Sequence, residues 1–278
     1  AYPAMNLKSA SRLIRSFAPV VTILLSTMVV STQANADDAD LAKKLSNPVA
    51  NLISVPMKLD MDTGFGRTDA NRSNYIVQPV IPIELNKEWN VISRTIVPLY
   101  IDAQSTVAGG KDTTGNGDIL QSFFFSPKAP TANGWIWGAG PVIALPTASD
   151  DALGTEKTSL GPTAVALKQE NGWTYGALAN HLWSVSGDDD RKDISATFVQ
   201  PFVSYTTPKQ TTFGLNTEST YDWKNEQWTV PVNATISQLV KVGKQPVQFQ
   251  LGYRNYLDRA DGGPDWGLRV QVTLLFPK

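Results

Sequence analysis

The sequence predicts an all-β chain: an antiparallel up-and-down transmembrane β-barrel of about 12 strands, preceded by a short helical segment. Three observations lead there: a strictly alternating segment near the C-terminus, eleven further segments of similar character before it, and connections that alternate between long and short. In the last segment, residues 265–276, Trp266, Leu268, Val270, Val272, Leu274 and Phe276 are apolar, and Gly267, Arg269, Gln271 and Thr273 fall between them. A tilted strand of about 9–11 residues crosses a bilayer. Such a strand turns one face to lipid and the other to a wet interior. Taken alone, the same alternation suits a half-buried strand of a soluble sandwich.

The N-terminus has its own logic. The four residues before Met5 read as upstream sequence. From Met5, Lys8, Arg12 and Arg15 form a basic region, Phe17 to Val30 is mostly apolar, and Ala34-Asn35-Ala36 is an A-x-A cleavage site. This is the pattern of a secretory signal, predicted over residues 1–36. Residues 37–53 form the next unit. There Leu41, Leu45, Val49 and Leu52 recur at helical spacing, and Pro48 ends or kinks the helix. Its place is open between the barrel mouth and the periplasmic side. The barrel itself is predicted over residues 54–278.

The strands then follow in order. Around residues 57–65, Met57, Leu59, Met61, Thr63 and Phe65 alternate with Lys58, Asp60, Asp62 and Gly64. Three charges in succession on one face suit a wet lumen. Residues 74–85 put Tyr75, Val77, Ile81, Ile83 and Leu85 opposite Asn74, Gln78 and Glu84, although Pro79 and Pro82 remove ladder donors. Residues 89–101 place Arg94 opposite an apolar face led by Trp89 and Val91. Residues 120–126 pair Phe123 with Phe125, and residues 135–145 carry Trp135 and Trp137. Residues 160–169 are weakly patterned. In residues 173–186 aromatic residues sit at both ends of one face, as two interfacial girdles require. Residues 194–205 are ambiguous in parity. Residues 211–221, 227–239 and 245–257 alternate again, with Glu218 and Arg254 on the polar faces.

Twelve strands return both ends to one side of a membrane. Numbered from a periplasmic start, the odd connections are residues 66–72, 102–117, 147–159, 187–193, 222–226 and 258–264. The even ones are 86–88, 127–134, 170–172, 207–209 and 241–244. Long, Gly/Asp-rich loops thus alternate with short turns, although 127–134 is long for a turn and 222–226 short for a loop. A barrel in the bacterial outer membrane has this asymmetry and a sandwich does not need it. Twelve strands lie between small filled barrels and open porins, so the lumen should be narrow and partly filled.

Composition narrows the function. Without residues 1–36 the chain has 242 residues, 21 Lys and Arg against 25 Asp and Glu, and a net charge of −4. This argues against a nucleic-acid partner, which needs a basic footprint. There is no cysteine, which excludes thiol catalysis and Cys-ligated metals. No metal and no cofactor is expected.

Several stretches carry a family likeness. They are Gln78-Pro79-Val80-Ile81-Pro82, the run from Trp89 to Pro98, Phe123-Phe124-Phe125-Ser126-Pro127, Trp137-Gly138-Ala139-Gly140-Pro141, Leu145-Pro146-Thr147-Ala148, Gln200-Pro201-Phe202, Gly243-Lys244-Gln245-Pro246-Val247 and Gly262-Gly263-Pro264-Asp265-Trp266. Together, over nearly the whole mature chain, they resemble bacterial outer-membrane proteins of the phenol meta-pathway (transporter) type. The resemblance implies a barrel that passes small, often aromatic or hydrophobic molecules. It supplies no catalytic or binding residues. One departure is that Phe276, in the place of the terminal aromatic that barrel-insertion machinery reads, is followed by Pro277 and Lys278. The expected partners are outer-membrane lipids and lipopolysaccharide, a small-molecule solute and that machinery.

The candidate lumen residues are Lys58, Asp60, Asp62, Glu84, Arg94, Glu218, Arg254 and Arg269. Closure sets the last strand beside the first, so Arg269 can meet Asp60 or Asp62. Two readings stand: a charged constriction that tunes selectivity, and a salt-bridge network that plugs the barrel, since buried charges must be paired. No catalytic residue is predicted. His181, the single histidine, is expected on the lipid face, with Asn180 on the other. The acids Asp150, Asp151 and Asp188 to Asp190 read as solvated loop residues, with a divalent ion beside lipopolysaccharide as the alternative. The Gly-rich stretch at residues 113–118 lacks phosphate-loop spacing.

Overall fold

The computed structural model describes residues 36–277. The predicted signal segment lies outside the described residues, apart from Ala36, where a short helix α1 (Ala36–Leu45) begins. Sixteen β-segments follow and form a single sheet. They are β1 (Ile53–Phe65), β2 (Ala70–Val77), β3 (Val80–Glu84), β4 (Trp89–Ala103), β5 (Thr113–Gly115), β6 (Ile119–Pro127), β7 (Trp135–Leu145), β8 (Lys157–Glu170), β9 (Trp173–Gly187), β10 (Ser195–Thr206), β11 (Thr211–Thr217), β12 (Ser219–Asp222), β13 (Gln227–Thr229), β14 (Pro231–Val242), β15 (Gln245–Tyr256) and β16 (Trp266–Phe276).

These segments build 12 staves. Neighbours pair antiparallel in chain order, and β16 pairs β1 from Ile53↔Phe276 to Thr63↔Trp266, which closes the ring. Closure leaves no open edge, the condition for a sheet to span lipid.

Three staves predicted as continuous are interrupted. Pro79 separates β2 from β3; it cannot donate, but its carbonyl accepts the Thr95 amide at 3.1 Å. Glu218 separates β11 from β12, and its amide donates to the Pro231 carbonyl at 3.2 Å. Val230 leaves the ladder before Pro231, its amide donating instead to the Asp258 carbonyl at 2.7 Å. The loop expected over 102–117 also contains a strand, β5, which adds to β4.

Turns at one end are tight. Asn171 and Gly172 between β8 and β9 both have positive φ, 51° and 83°, as a two-residue hairpin turn demands. The long connections lie at the other end, which is the extracellular side in outer-membrane barrels.

The outer surface matches a bilayer. Near the short-turn end, Trp89 meets Trp137 (ring centroids 5.8 Å apart), Trp135 meets Tyr175 (6.3 Å) and Trp173 meets Tyr205 (5.0 Å). Near the long-loop end, Tyr221 meets Trp223 (4.8 Å) and Trp228 (4.9 Å), and Tyr253 stacks on Trp266 (6.2 Å). Between these belts, exposed Leu160, Leu215, Ile236 and Leu268 cover the staves. A soluble protein would not expose so continuous an apolar girdle; here it is the lipid face.

The N-terminal segment enters the periplasmic mouth. Leu41, Ala42, Ala50 and Leu52 pack with Leu239 of β14 and Leu275 of β16. Val49 packs in a second cluster with Ile92, Phe124, Val165, Leu167 and Leu178, all inward-facing on β4, β6, β8 and β9. The amide of Gln169 donates to the Lys43 carbonyl at 2.8 Å. Residues 36–52 are therefore a plug held by the barrel's inner wall.

Candidate functional site in the lumen

Seven of the eight predicted lumen residues gather on the inner wall. Asp60 and Arg269 are direct partners across the closing seam. Arg269 Nε donates to Asp60 Oδ1 at 2.6 Å and Nη2 to Oδ2 at 2.9 Å, a two-pronged fork. The rest of the guanidinium reaches Glu218, with Nη1 to Oε1 at 2.8 Å and Nη2 to Oε2 at 3.0 Å. Arg254 joins the three carboxylates: Nη2 lies 3.0 Å from Glu218 and 3.3 Å from Asp60, and Nη1 lies 3.3 Å from Asp62. Its Nε donates to Asn233 Oδ1 at 2.9 Å, and Asn233 in turn donates to Asn216 at 2.8 Å. Asp60, Arg254 and Arg269 are each no more than 7% exposed. Such a network holds only because each charge is met by fixed partners.

The backbone explains how so many charges fit. Alternation points Asp60, Asp62, Arg254 and Arg269 inward from three adjacent staves. The break at Glu218 sets that carboxylate where regular pairing would not. Gly252 stands opposite Arg269 and Gly267 opposite Asp62. A Cβ on Gly267 would collide with Asp62 Oδ1, and one on Gly252 would crowd Arg269 Cβ. The two glycines are the space into which the charged side chains fold.

Lys58 and Arg94 lie toward the plug. Lys58 Nζ donates to Gln78 Oε1 at 2.9 Å, and Gln78 is placed by the Pro79 break. Both cations line a cavity of about 280 Å³ between the plug and the charge network. Its polar walls include Gln200, Gln250 and Gln271, and its apolar walls include Val80, Leu178 and Phe202.

Glu84 does not join this site. It keeps the inward parity of its strand, but it is the last residue of β3, at the rim, where it pairs with Lys128 at 2.8 Å. Strand end, not strand face, decides its position. Sequence reasoning also missed Arg72. It falls within β2, which begins earlier than expected, and it is the register partner of Asp62.

His181 faces outward with Trp183, ring centroids 4.1 Å apart. Its Nδ1 is 2.7 Å from Thr197 Oγ1, which also accepts from Trp223 Nε1 at 2.8 Å, and Ser195 Oγ lies 3.4 Å from Nε2. That last distance exceeds the ordinary reach of a nucleophile–base pair, about 2.6–3.2 Å. The loop acids serve their own turns. Asp150 Oδ1 accepts the Ala152 amide at 2.9 Å, and Asp188 Oδ1 accepts that of Asp190 at 2.8 Å. Asp118, from the Gly-rich stretch, ties two loops by accepting the amides of Ala148 (3.0 Å) and Thr155 (2.7 Å). Among the described residues, no three His, Cys, Asp or Glu side chains converge as a metal site.

No family model matches this chain, and no curated protein matches it. Solved structures do. A COG4313 outer membrane channel from Pseudomonas putida F1 aligns with a TM-score of 0.63 at 16% identity, covering 81% of this chain and 96% of that one. The NanC porin aligns at 0.51 and 10% identity, covering 81% of this chain and all of that one. At these identities the likeness establishes the fold: a closed 12-stranded barrel of the bacterial outer-membrane kind.

Proposed function

We propose that the protein is a passive outer-membrane channel for small solutes, as the two aligned structures are channel and porin by name. The observation that carries this reading is the lumen itself: a solvent-sized cavity bounded on one side by an ordered network of charge. A water-filled path lined by charged rings selects ions and solutes by sign and width. In this reading Lys58, Asp60, Asp62, Arg94, Glu218, Arg254 and Arg269 form the selectivity region. The apolar walls at Val80, Leu178 and Phe202 favour solutes with a hydrophobic or aromatic body. The assembly machinery inserts the barrel, and its outer rim meets lipopolysaccharide. The reading assigns no enzymatic role, and His181 anchors the outer interface.

A planar bilayer tests it. The full chain is expected to give small, ion-selective conductance steps, and changing Arg94, Arg254 and Arg269 to Ala is expected to shift the selectivity. Unchanged selectivity sinks the constriction. A second reading, a plugged barrel that does not transport, is favoured by the docked segment 36–52. It predicts silence from the full chain and conductance once that segment is deleted. Absence of fatty-acid release from labelled lipid checks the non-enzymatic assignment.

A further inference from the structure

We infer that the cavity between the plug and the charge network is a binding site for a small organic monocarboxylate, held by Lys58 and Arg94. As a station on a transport path, this inference rests on the channel reading.

Charge is the first argument. Five cations face this part of the lumen, Lys58, Arg72, Arg94, Arg254 and Arg269, against three carboxylates, Asp60, Asp62 and Glu218. Arg254 and Arg269 share all three carboxylates, and Arg72 stands opposite Asp62. Lys58 and Arg94 make no ion pair within the described residues; the hydrogen bond from Lys58 goes to a neutral amide. Both line the same cavity, together with Glu218 and Arg269, which are paired with each other. Charges turned inward in a barrel are ordinarily paired or hydrogen-bonded, and two surplus cations on one cavity favour an anion there.

Chemistry narrows the anion. Arg with Lys offers a planar fork beside a point charge, the complement of a carboxylate. Gln200, Gln250 and Gln271 supply amides that can donate to its oxygens. The wall also carries an apolar patch at Val80, Leu178 and Phe202 among hydroxyl and amide side chains such as Ser204, Asn216 and Thr235, which suits a small acid with a short hydrocarbon body rather than a bare inorganic ion. The volume of about 280 Å³ accommodates a small acid.

Calorimetry on the full chain in a neutral detergent tests the site, with hexanoate as probe and 1-hexanol and chloride as comparisons. Hexanoate is expected to bind saturably, 1-hexanol at least about tenfold more weakly, and Lys58→Met and Arg94→Met are each expected to weaken hexanoate about tenfold or more. Lys128→Met at the rim should leave binding unchanged. Heat-modifiable mobility checks that each variant is folded, and Lys58→Gln and Arg94→Gln replace any Met variant that is not. Equal binding of hexanoate and hexanol overturns the inference, as does full affinity in both cavity variants. Chloride displacing hexanoate at equal concentration makes this a general anion site and overturns the carboxylate assignment. Conductance is measured separately. A barrel that binds hexanoate but never conducts keeps the site and loses the channel, and one that conducts without binding hexanoate loses only the site.

Discussion

The two walls of the lumen are built on opposite principles. On one side β1, β15, β16 and the β11–β12 break carry Asp60, Asp62, Glu218, Arg254 and Arg269, which satisfy one another. On the other, β4, β6, β8 and β9 turn Ile92, Phe124, Val165, Leu167 and Leu178 inward, and Val49 of the N-terminal segment packs into their cluster. The charged wall is complete within the barrel. The apolar wall is complete only with the plug. The plug is thus an integral part of the inner surface, while the seam between first and last strands is locked electrostatically.

The largest effect is expected at the seam. Arg269→Ala leaves Asp60 and Glu218 with one cation between them in a buried site. Removing one partner of such a pair costs about 3–5 kcal/mol. The expected result is a marked loss of resistance to denaturant, read as earlier collapse of the heat-modifiable band. Asp60→Asn with Arg269→Ala together should cost less than the sum of the single changes, because the orphaned charge is then gone.

On the apolar wall the effect is smaller and local. Val49→Ala removes methyl groups from the buried cluster that includes Ile92, Phe124 and Leu178. Loss of burial with partial relaxation is expected to cost about 1–3 kcal/mol, taken from plug docking. Limited proteolysis within residues 36–52 should therefore accelerate while the barrel's own melting barely moves. If both shift together, the plug and the barrel form one cooperative unit and the division between the walls fails.

The same division marks what was legible in the sequence. Where one face meets lipid and the other carries charge, as in β1, β15 and β16, alternation identifies strand and face, and closure brings Arg269 to Asp60 or Asp62; the register that selects Asp60 is set by the ladder and is not written in the pattern. Where the inner face is also apolar, alternation vanishes. Val165 and Leu167 face inward while Ala164 and Ala166 face out, so β8 reads as patternless. Phe198 and Phe202 blur β10 in the same way. The plug could be recognised as helical, but its target could not, since that target is the very set of residues that erased the pattern. Glu84 shows a different limit: parity predicts a face but not height along the barrel, and height placed it at the rim.

Packing between backbone and charge offers a finer probe. Gly267→Ala sets a methyl against Asp62 Oδ1. The carboxylate must then swing from Arg254, which lies 3.3 Å away. Overpacking of this kind costs about 1–3 kcal/mol, and the upper end is expected because the Met61 backbone carbonyl, 2.8 Å from the new methyl, must shift as well. A shift in ion selectivity larger than that of a variant of equal stability loss elsewhere would identify Asp62 as the adjustable member of the network.

The smallest effect separates buried charge from exposed charge. Lys128 and Glu84 form a rim pair at 2.8 Å, but the Glu84 side chain is 69% exposed. Solvent and salt screen such a pair, whose contribution is about 0–1 kcal/mol. Lys128→Ala is expected to leave the melting temperature nearly unchanged, and any small loss should vanish in high salt. A loss comparable to that of Arg269→Ala would mean that the rim contributes as the seam does. Stability would then depend on where a charged pair closes the ring, and not on how deeply it is buried.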